Sequence, residues 1–416
     1  MSRMIQEADF DFDPFSTAVM SDPHPWYEVL RDKYPAYFIP KYDAWVFSRF
    51  EDVQAVLQHR TAITSTEGTV VAKEALLTHN AGAAPSASLD PLAPGERLES
   101  PFYEHMRQAQ GAPLRPKSVL AIEDEVRGRA RTLLRELLPK GKFDIVSDWA
   151  GVVVTGTMCL MYGIPIEEAD SLRMLVNAAV EQDPVTGGLP ADWRERWVDL
   201  YAVCIAAVER RREAGADGGL SVIDNLIHYR IDGRALSNQE IANQIVNVII
   251  AGSESVPKIL THGLMLLQDD VDARSAILSD PATNMAIAYE EMIRFCGPAQ
   301  WFLRTVRAPV TIAGASLLPG QRVIPLIQSA NRDEREFPDG SAFVWNRGAT
   351  RHVGFGHGQH FCVGNHLGRL EGRILLDEFL SHISAYRITD GVRTPSSNHW
   401  GFTSAIVHVD ELTSRS

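Results

Sequence analysis

The stretch His352-Val-Gly-Phe-Gly-His-Gly-Gln-His-Phe-Cys-Val-Gly-Asn365 constrains this chain more than any other. Gly354, Gly356 and Gly358 let the backbone come close to a flat ligand, and Gly364 lets a following helix sit tight. After Cys362, the apolar residues Leu367, Leu370, Ile374, Leu375 and Phe379 recur at helical spacing. The cysteine therefore falls at a helix N-terminus, where unpaired amides favour its thiolate. Other readings compete. His352, His357, His360 and His366 suggest zinc, but they lack a usual zinc-ligand spacing and leave the glycines unexplained. Gly354-x-Gly-x-Gly with Asp377 downstream mimics a dinucleotide fingerprint, yet Arg347-Gly-Ala-Thr-Arg-His352 ahead of it is no buried strand. A cysteine met without context is usually a small buried hydrophobe; here the loop around it argues for a ligand.

A thiolate beside room for a flat ring suits haem iron, where it pushes electron density toward O–O cleavage. Phe355-Gly-x-Gly-x-His-x-Cys-x-Gly364 resembles the haem-binding signature of the cytochrome P-450 superfamily. The resemblance implies haem b as cofactor and Cys362 as the iron ligand.

Whether the rest of the chain suits such a protein depends on its bulk and charge. Its 416 residues, 45% hydrophobic, supply ample core, and no long flexible linker divides them, so one domain over 1–416 is expected. The formal charge of −13 argues against nucleic acid and anionic membrane as partners. No apolar run is expected to reach the roughly 18 residues that span a bilayer, and the polar, acidic start is unlike a signal peptide. Cys159, Cys204, Cys296 and Cys362 form no CxxC, which suits a reducing compartment. A soluble, cytoplasmic, monomeric protein is the expectation.

Pro25 to Lys33 reads as a helix, followed by a hairpin of Tyr37-Phe-Ile and Ala44-Trp-Val-Phe. Ser48-Arg-Phe-Glu51 reads as a capping box opening a helix through Leu57. Thr61 to Pro94 lacks periodicity and reads as a long mobile loop, which in the family it resembles folds over the substrate. Helical patterning returns at Tyr103 and runs, punctuated by Pro113 and Pro116, to Leu138. That segment carries Arg107, Arg115, Lys117, Arg127, Arg129, Arg131 and Arg135: a solvated helix face, or with Arg369 and Arg373 a docking surface for an acidic electron donor. Pro184 to Pro190 separates two helices as a lid would.

Ser237-Asn-Gln-Glu240 is a second capping box and opens a long apolar helix toward Leu267. Within it Gly252 removes bulk and Pro257 cannot donate to the Ser253 carbonyl, so a kink is expected. Ala251-Gly-Ser-Glu-Ser255 resembles the family's acid–alcohol motif, which implies that Glu254 and Ser255 assist protonation beside Ala251. Serine stands where the family usually has threonine and lacks the branch that stiffens χ1, so some leakage to peroxide is expected.

Glu291-Met-Ile-Arg294 with Arg347 resembles the triad that braces the cysteine loop. By family position Arg107, Arg304 and His360 are implied ligands of the haem propionates, with His352 a further one. Tyr103 stands where the family often has histidine and offers one hydrogen bond but no charge. Ala330-Asn-Arg-Asp333 matches another family stretch. Val310-Thr-Ile, Arg322-Val-Ile and Ile406-Val-His-Val read as short strands. The resemblance implies the triangular cytochrome P-450 fold, mainly α with a smaller β region. It implies insertion of one atom of O2 into an apolar small organic substrate, with electrons from a separate ferredoxin and its NAD(P)H-dependent reductase. Its pocket is expected from Val70 to Leu77, Val180 to Leu189, Asn247, Ile250, Ala251, Gln300 to Phe302 and Trp400 to Thr403. A peroxide-driven peroxygenase, a non-catalytic haem sensor and a structural metal site are the competing readings.

Overall fold

The computed structural model describes residues 10–69, 73–77, 95–217, 221–393 and 396–413. Most of the loop expected between Thr61 and Pro94, with the pocket residues 70–72, lies outside them; Ile63–Thr64 is a short strand and Lys73–Leu77 a short helix. The organising element is a central helix, Asn238–Leu267. Both halves of its capping box form: Ser237 Oγ accepts from Glu240 N at 3.2 Å, and the Glu240 carboxylate accepts from Ser237 N at 2.7 Å. The helix continues through Pro257 and is apolar on most of its surface, so it packs inside a layer of other helices rather than on their outside.

Around it lie Gly151–Tyr162, Trp193–Glu213, a bracing helix Pro281–Cys296 and the cysteine helix Asn365–His382. Close approach follows from glycine: a Cβ at Gly252 would sit 2.6 Å from Met158 Sδ. Leu367, Leu370, Ile374, Leu375 and Phe379 are all buried on the cysteine helix. Contrary to the sequence reading, Ile145–Tyr162 is long and apolar enough to cross a membrane, but most of it is buried inside this core.

The β region draws on both ends of the chain. A five-stranded sheet runs in the order Ala36–Ile39, Ala44–Phe47, Arg322–Pro325, Arg304–Val306, Ile63–Thr64. Ala44–Phe47 pairs in parallel with Arg322–Pro325, Trp45 opposite Val323, and the other pairings are antiparallel. A second sheet joins Ile383–Arg393, Phe402–Leu412 and Lys142–Asp144. Val310–Ile312 forms a hairpin with Ala315–Leu317.

One cap is not where the sequence placed it. The helix Phe50–Gln58 is preceded by Arg49 with no side-chain cap, and buried Ser48 Oγ has no partner. Asp333 Oδ2 accepts from Phe50 N at 2.9 Å instead. A carboxylate from across the fold displaces the local hydroxyl because it is the stronger acceptor.

The arginines also differ from the expectation of a free basic face. Arg127 reaches Asp377 at 2.6 Å, Glu378 at 3.1 Å and Glu123 at 3.3 Å, while Arg131 forms a fork on Glu378 at 2.8 and 2.9 Å. Arg373 pairs with Glu123 and Arg369 with Glu290. Arg127, Arg131 and Arg373 fasten the helix Glu123–Leu137 to the cysteine helix, and Arg369 ties the cysteine helix to the bracing helix.

Candidate haem site

The bracing helix fixes the cysteine loop. Arg294, fully buried, forms a two-pronged pair with Glu291 at 2.7 Å and gives Nη1 to the carbonyls of Asn331 and Gly340 at 2.5 and 2.9 Å. Arg347 Nε donates to Glu291 Oε1 at 3.0 Å, and Val344 N meets the same oxygen at 3.0 Å. Asn331 Oδ1 in turn accepts from Val353 N at 2.8 Å, so the expected triad and the Asn331 stretch together hold the loop's first residues. A buried charge pair satisfied by this many carbonyls and amides specifies one geometry.

The loop itself turns through Gly356 and Gly358, at φ 72° and 71°. Gly358 has a further reason to lack a side chain, since a Cβ would lie 2.7 Å from the Leu57 carbonyl oxygen. Gly364 does not serve close packing as the sequence suggested: a Cβ there would meet nothing nearer than Cys362 Sγ at 4.0 Å. Cys362 N donates to the Phe355 carbonyl at 2.9 Å. The helix begins at Asn365, with Gly364 as its cap. Burial pushes the Cys362 thiol up, while the Gly364 amide and the Arg107 and Arg369 guanidiniums pull it down.

Four expected residues meet beside this loop. Tyr103 and His360 have ring centroids 4.5 Å apart, Tyr103 OH donates to the Gln359 carbonyl at 2.6 Å, and Arg107 Nη1 donates to Tyr103 OH at 3.3 Å. Arg304 lies close enough to act on both Tyr103 and His360. Burial drags Arg304 down to about 10, and burial with Arg304 and Arg107 pushes His360 down to about 3. Arg304 gives Nη1 to the Leu303 carbonyl at 2.9 Å, and among the described residues neither Arg304 nor Arg107 has a carboxylate partner. Two guanidiniums with no carboxylate partner among the described residues, beside a neutral imidazole that can donate an N–H, leave donors that two propionate carboxylates would match. The residues present fit haem.

The central helix carries the remaining expected residues. Ala251 is exposed in an otherwise buried stretch, flanked one turn away by half-buried Asn247, Val248 and Ser255, so this stripe borders open space inside the fold. Ser255 Oγ donates to the Ala251 carbonyl at 2.9 Å.

Some expected roles change. His352 is spent: Nε2 contacts Glu290 at 2.7 Å and Nδ1 accepts from Gly354 N at 3.1 Å, so it braces the loop rather than reaching a propionate. The Tyr103 hydroxyl gives its one proton to Gln359, which makes it a positioning group for Arg107 and the loop. Glu254 is buried and bonded at 2.6 Å to Lys258, also buried, one turn along the helix. Trp301 and Trp400 are not free to line a pocket: Trp301 Nε1 donates to the Ser397 carbonyl at 2.9 Å, and Trp400 packs on His24 and His262. The sequence reading missed Ser65, whose Oγ lies 3.2 Å from His360 Nε2, because the contact spans most of the chain. It also missed Lys258, although a lysine four residues after Glu254 is a visible helical pairing.

The comparisons agree with this geometry. Residues 281–407 match the family model for cytochrome P450. The chain is 30% identical over 286 residues to the methyl-branched lipid omega-hydroxylase of Mycobacterium tuberculosis, covering 68% of this chain and 66% of that protein. It is 26% identical to cytochrome P450 109 of Bacillus spizizenii, covering 86% of this chain and 84% of the relative. The fold is shared with Mycobacterium marinum CYP268A2 in complex with pseudoionone, at TM-score 0.83 and 24% identity, over 96% of this chain and 99% of that one. It is shared also with CYP109Q5 of Chondromyces apiculatus, at TM-score 0.81 and 22% identity, over 97% and 99% of the two chains. Members of the family bind haem b, and with the cysteine loop, its bracing triad and the cationic cradle in place, the chain belongs to the cytochrome P450 superfamily of bacterial-type monooxygenases.

Proposed function

We infer that this monooxygenase oxidises a small or medium apolar organic substrate, with Cys362 as the iron ligand. The observation that carries the reading is the convergence on the loop that holds Cys362 of His360 with Arg107 and Arg304, neither guanidinium having a carboxylate partner among the described residues. Bound haem supplies the activation of O2 once two electrons arrive. Arg107, Arg304 and His360 hold its carboxylates, and Tyr103 keeps Arg107 aligned. Ala251, small and exposed to the interior, leaves room along the central helix, with Asn247 and Val248 toward the substrate. Pro257 lacks the N–H that the Ser253 carbonyl would otherwise accept, so that turn has a spare acceptor for water. Ser255 Oγ passes a proton along this turn. Glu254, whose carboxyl burial pushes up while Lys258 pulls it down, stands behind it as the acid.

The lipid hydroxylase relative supports an apolar guest. The electron donor is a separate ferredoxin-type protein with its reductase, and the enzyme works as a cytoplasmic monomer. The test is the visible spectrum of the dithionite-reduced, carbon-monoxide-bound protein beside that of Cys362→Ala. A far red-shifted Soret band, lost in the variant, is expected; a band at the imidazole-ligated position would refute ligation by Cys362. Ser255→Ala is expected to raise the share of reducing equivalents lost as peroxide during turnover with a surrogate ferredoxin, and unchanged coupling would remove Ser255 from the proton path.

A further inference from the structure

Between the helix His24–Lys33 and the segment after the Ala330-Asn-Arg-Asp333 stretch lies a cleft of about 300 Å³, with His24, Arg31, Arg332 and Ser341 in its walls and Asp22 and Glu28 at its exposed rim. Asp333, Glu28 and Asp22 act on its cations from a distance, but none pairs with them directly among the described residues. Arg31, 6% exposed, gives Nη1 to the carbonyl and hydroxyl of Ser329 at 3.4 and 3.1 Å. Arg332 gives Nη2 to the Phe295 carbonyl at 3.0 Å, lies 3.9 Å over the Phe295 ring, and has a buried Nε without a partner. Neither guanidinium forms an ion pair among the described residues.

The imidazoles around them are no better satisfied. Both ring nitrogens of His24 and Nδ1 of His262 are buried and unpartnered. Burial, and then Arg332, His262, Arg31 and Arg393, all push His24 in one direction, toward neutrality. Burial also takes Arg332 down to about 10, and the pull of Asp22 does not offset it. Buried Asp333 offsets part of the cost at Arg31, but guanidiniums and imidazoles packed together without a direct ion pair stay costly to bury, and an oxyanion lowers that cost. The planar guanidinium fork matches carboxylate and phosphate oxygens.

We propose that this cleft binds a small oxyanion, a phosphate- or carboxylate-bearing molecule, held by Arg31 and Arg332 with a His24 ring nitrogen as third contact. The site is separate from the cradle around His360. Through Asn331, the neighbour of Arg332 that holds Val353, its occupancy steadies the start of the cysteine loop.

Calorimetric titration of the haem-loaded protein, in which the propionates already occupy the other cationic site, tests this with orthophosphate and with succinate against chloride at matched ionic strength. Saturable binding of at least one oxyanion is expected, weakened about thirtyfold or more by Arg332→Gln and by Arg31→Gln. Ser341→Tyr, at the exposed mouth, blocks entry without removing a buried charge, and it is expected to abolish the binding while the haem spectrum stays unchanged. Binding of phosphate alone assigns a phosphate-bearing ligand, and binding of succinate alone a carboxylate. No saturable binding of either, or binding that survives all three substitutions, overturns the proposal.

Discussion

Lys258 and Glu254 form a pair shut away from solvent inside a helix, and one carboxylate oxygen, Oε1, has no hydrogen-bond partner among the described residues. Burial lifts the Glu254 pKa, and Lys258 limits the rise. A carboxyl raised in the folded state contributes stability that is full below its unfolded pKa and lost as pH climbs through the folded value. Removing the lysine raises the folded value further. Lys258→Met is therefore expected to cost about 3–5 kcal/mol at neutral pH, and distinctly less near pH ~4, where the carboxyl is protonated in both states. Adding Glu254→Gln should recover most of the loss, because no buried charge is then left alone. Thermal unfolding at the two pH values checks this; equal losses at both would show that the pair contributes no charge. At this scale Cys362 stands out from the spacing of its own loop, whereas Arg107, Arg304 and His360 are implied only by the family resemblance; the structure brings these three together beside that loop. The partners of His352 and Tyr103 were not legible, because a side chain's direction is set by what lies opposite it, here Glu290 and Gln359.

Elements were legible where their signals are local. The capping box of the central helix lies wholly within Ser237 to Glu240 and forms as read. The Ser48 cap does not, because its replacement, Asp333, lies 283 residues beyond Phe50. Asp333→Ala is accordingly expected to cost about 1–2 kcal/mol or more in chemical denaturation, whereas Ser48→Ala should stay within about 0.5 kcal/mol of the parent. The reverse ranking would restore Ser48 as the cap. Glu290 links the bracing helix to His352 and, through Arg369, to the cysteine helix. Burial alone would raise its pKa, but the bonds from Arg369 and His352 outweigh it and hold the carboxyl at about 2. A carboxyl lowered in this way contributes stability present above its unfolded value and lost as pH falls toward the folded one. Glu290→Gln should therefore lower the unfolding midpoint at neutral pH and flatten its decline between about pH 4 and about pH 2. An unchanged acid limb would show that the link carries no load.

For the whole molecule, the helical character and several strands were readable, whereas the parallel pairing of Ala44–Phe47 with Arg322–Pro325 was not, since periodicity says nothing about which strand a segment meets. Charge also has to be judged at this scale. Once Arg127, Arg131, Arg369 and Arg373 are paired with carboxylates, exposed Arg115, Lys117 and Arg135 remain from the expected basic face of a chain with formal charge −13. If an acidic donor docks there, Arg115→Glu with Lys117→Glu should raise the apparent KM for a surrogate ferredoxin severalfold while kcat changes little, and added salt should do the same to the parent enzyme. A KM unaffected by both would place the donor elsewhere. The shared sheets also set an order of events on the ribosome. The hairpin of Ala36–Ile39 with Ala44–Phe47 can close early, but the open edge of Ala44–Phe47 waits for 322–325, and 142–144 wait for 406–408. These early edges stay open through most of synthesis, exposed to wrong neighbours. Arg107, too, leaves the ribosome long before Arg304 and His360. A nascent chain therefore cannot grip its cofactor until translation is nearly finished, so haem supply governs how much of the finished polypeptide matures, not how fast it is made.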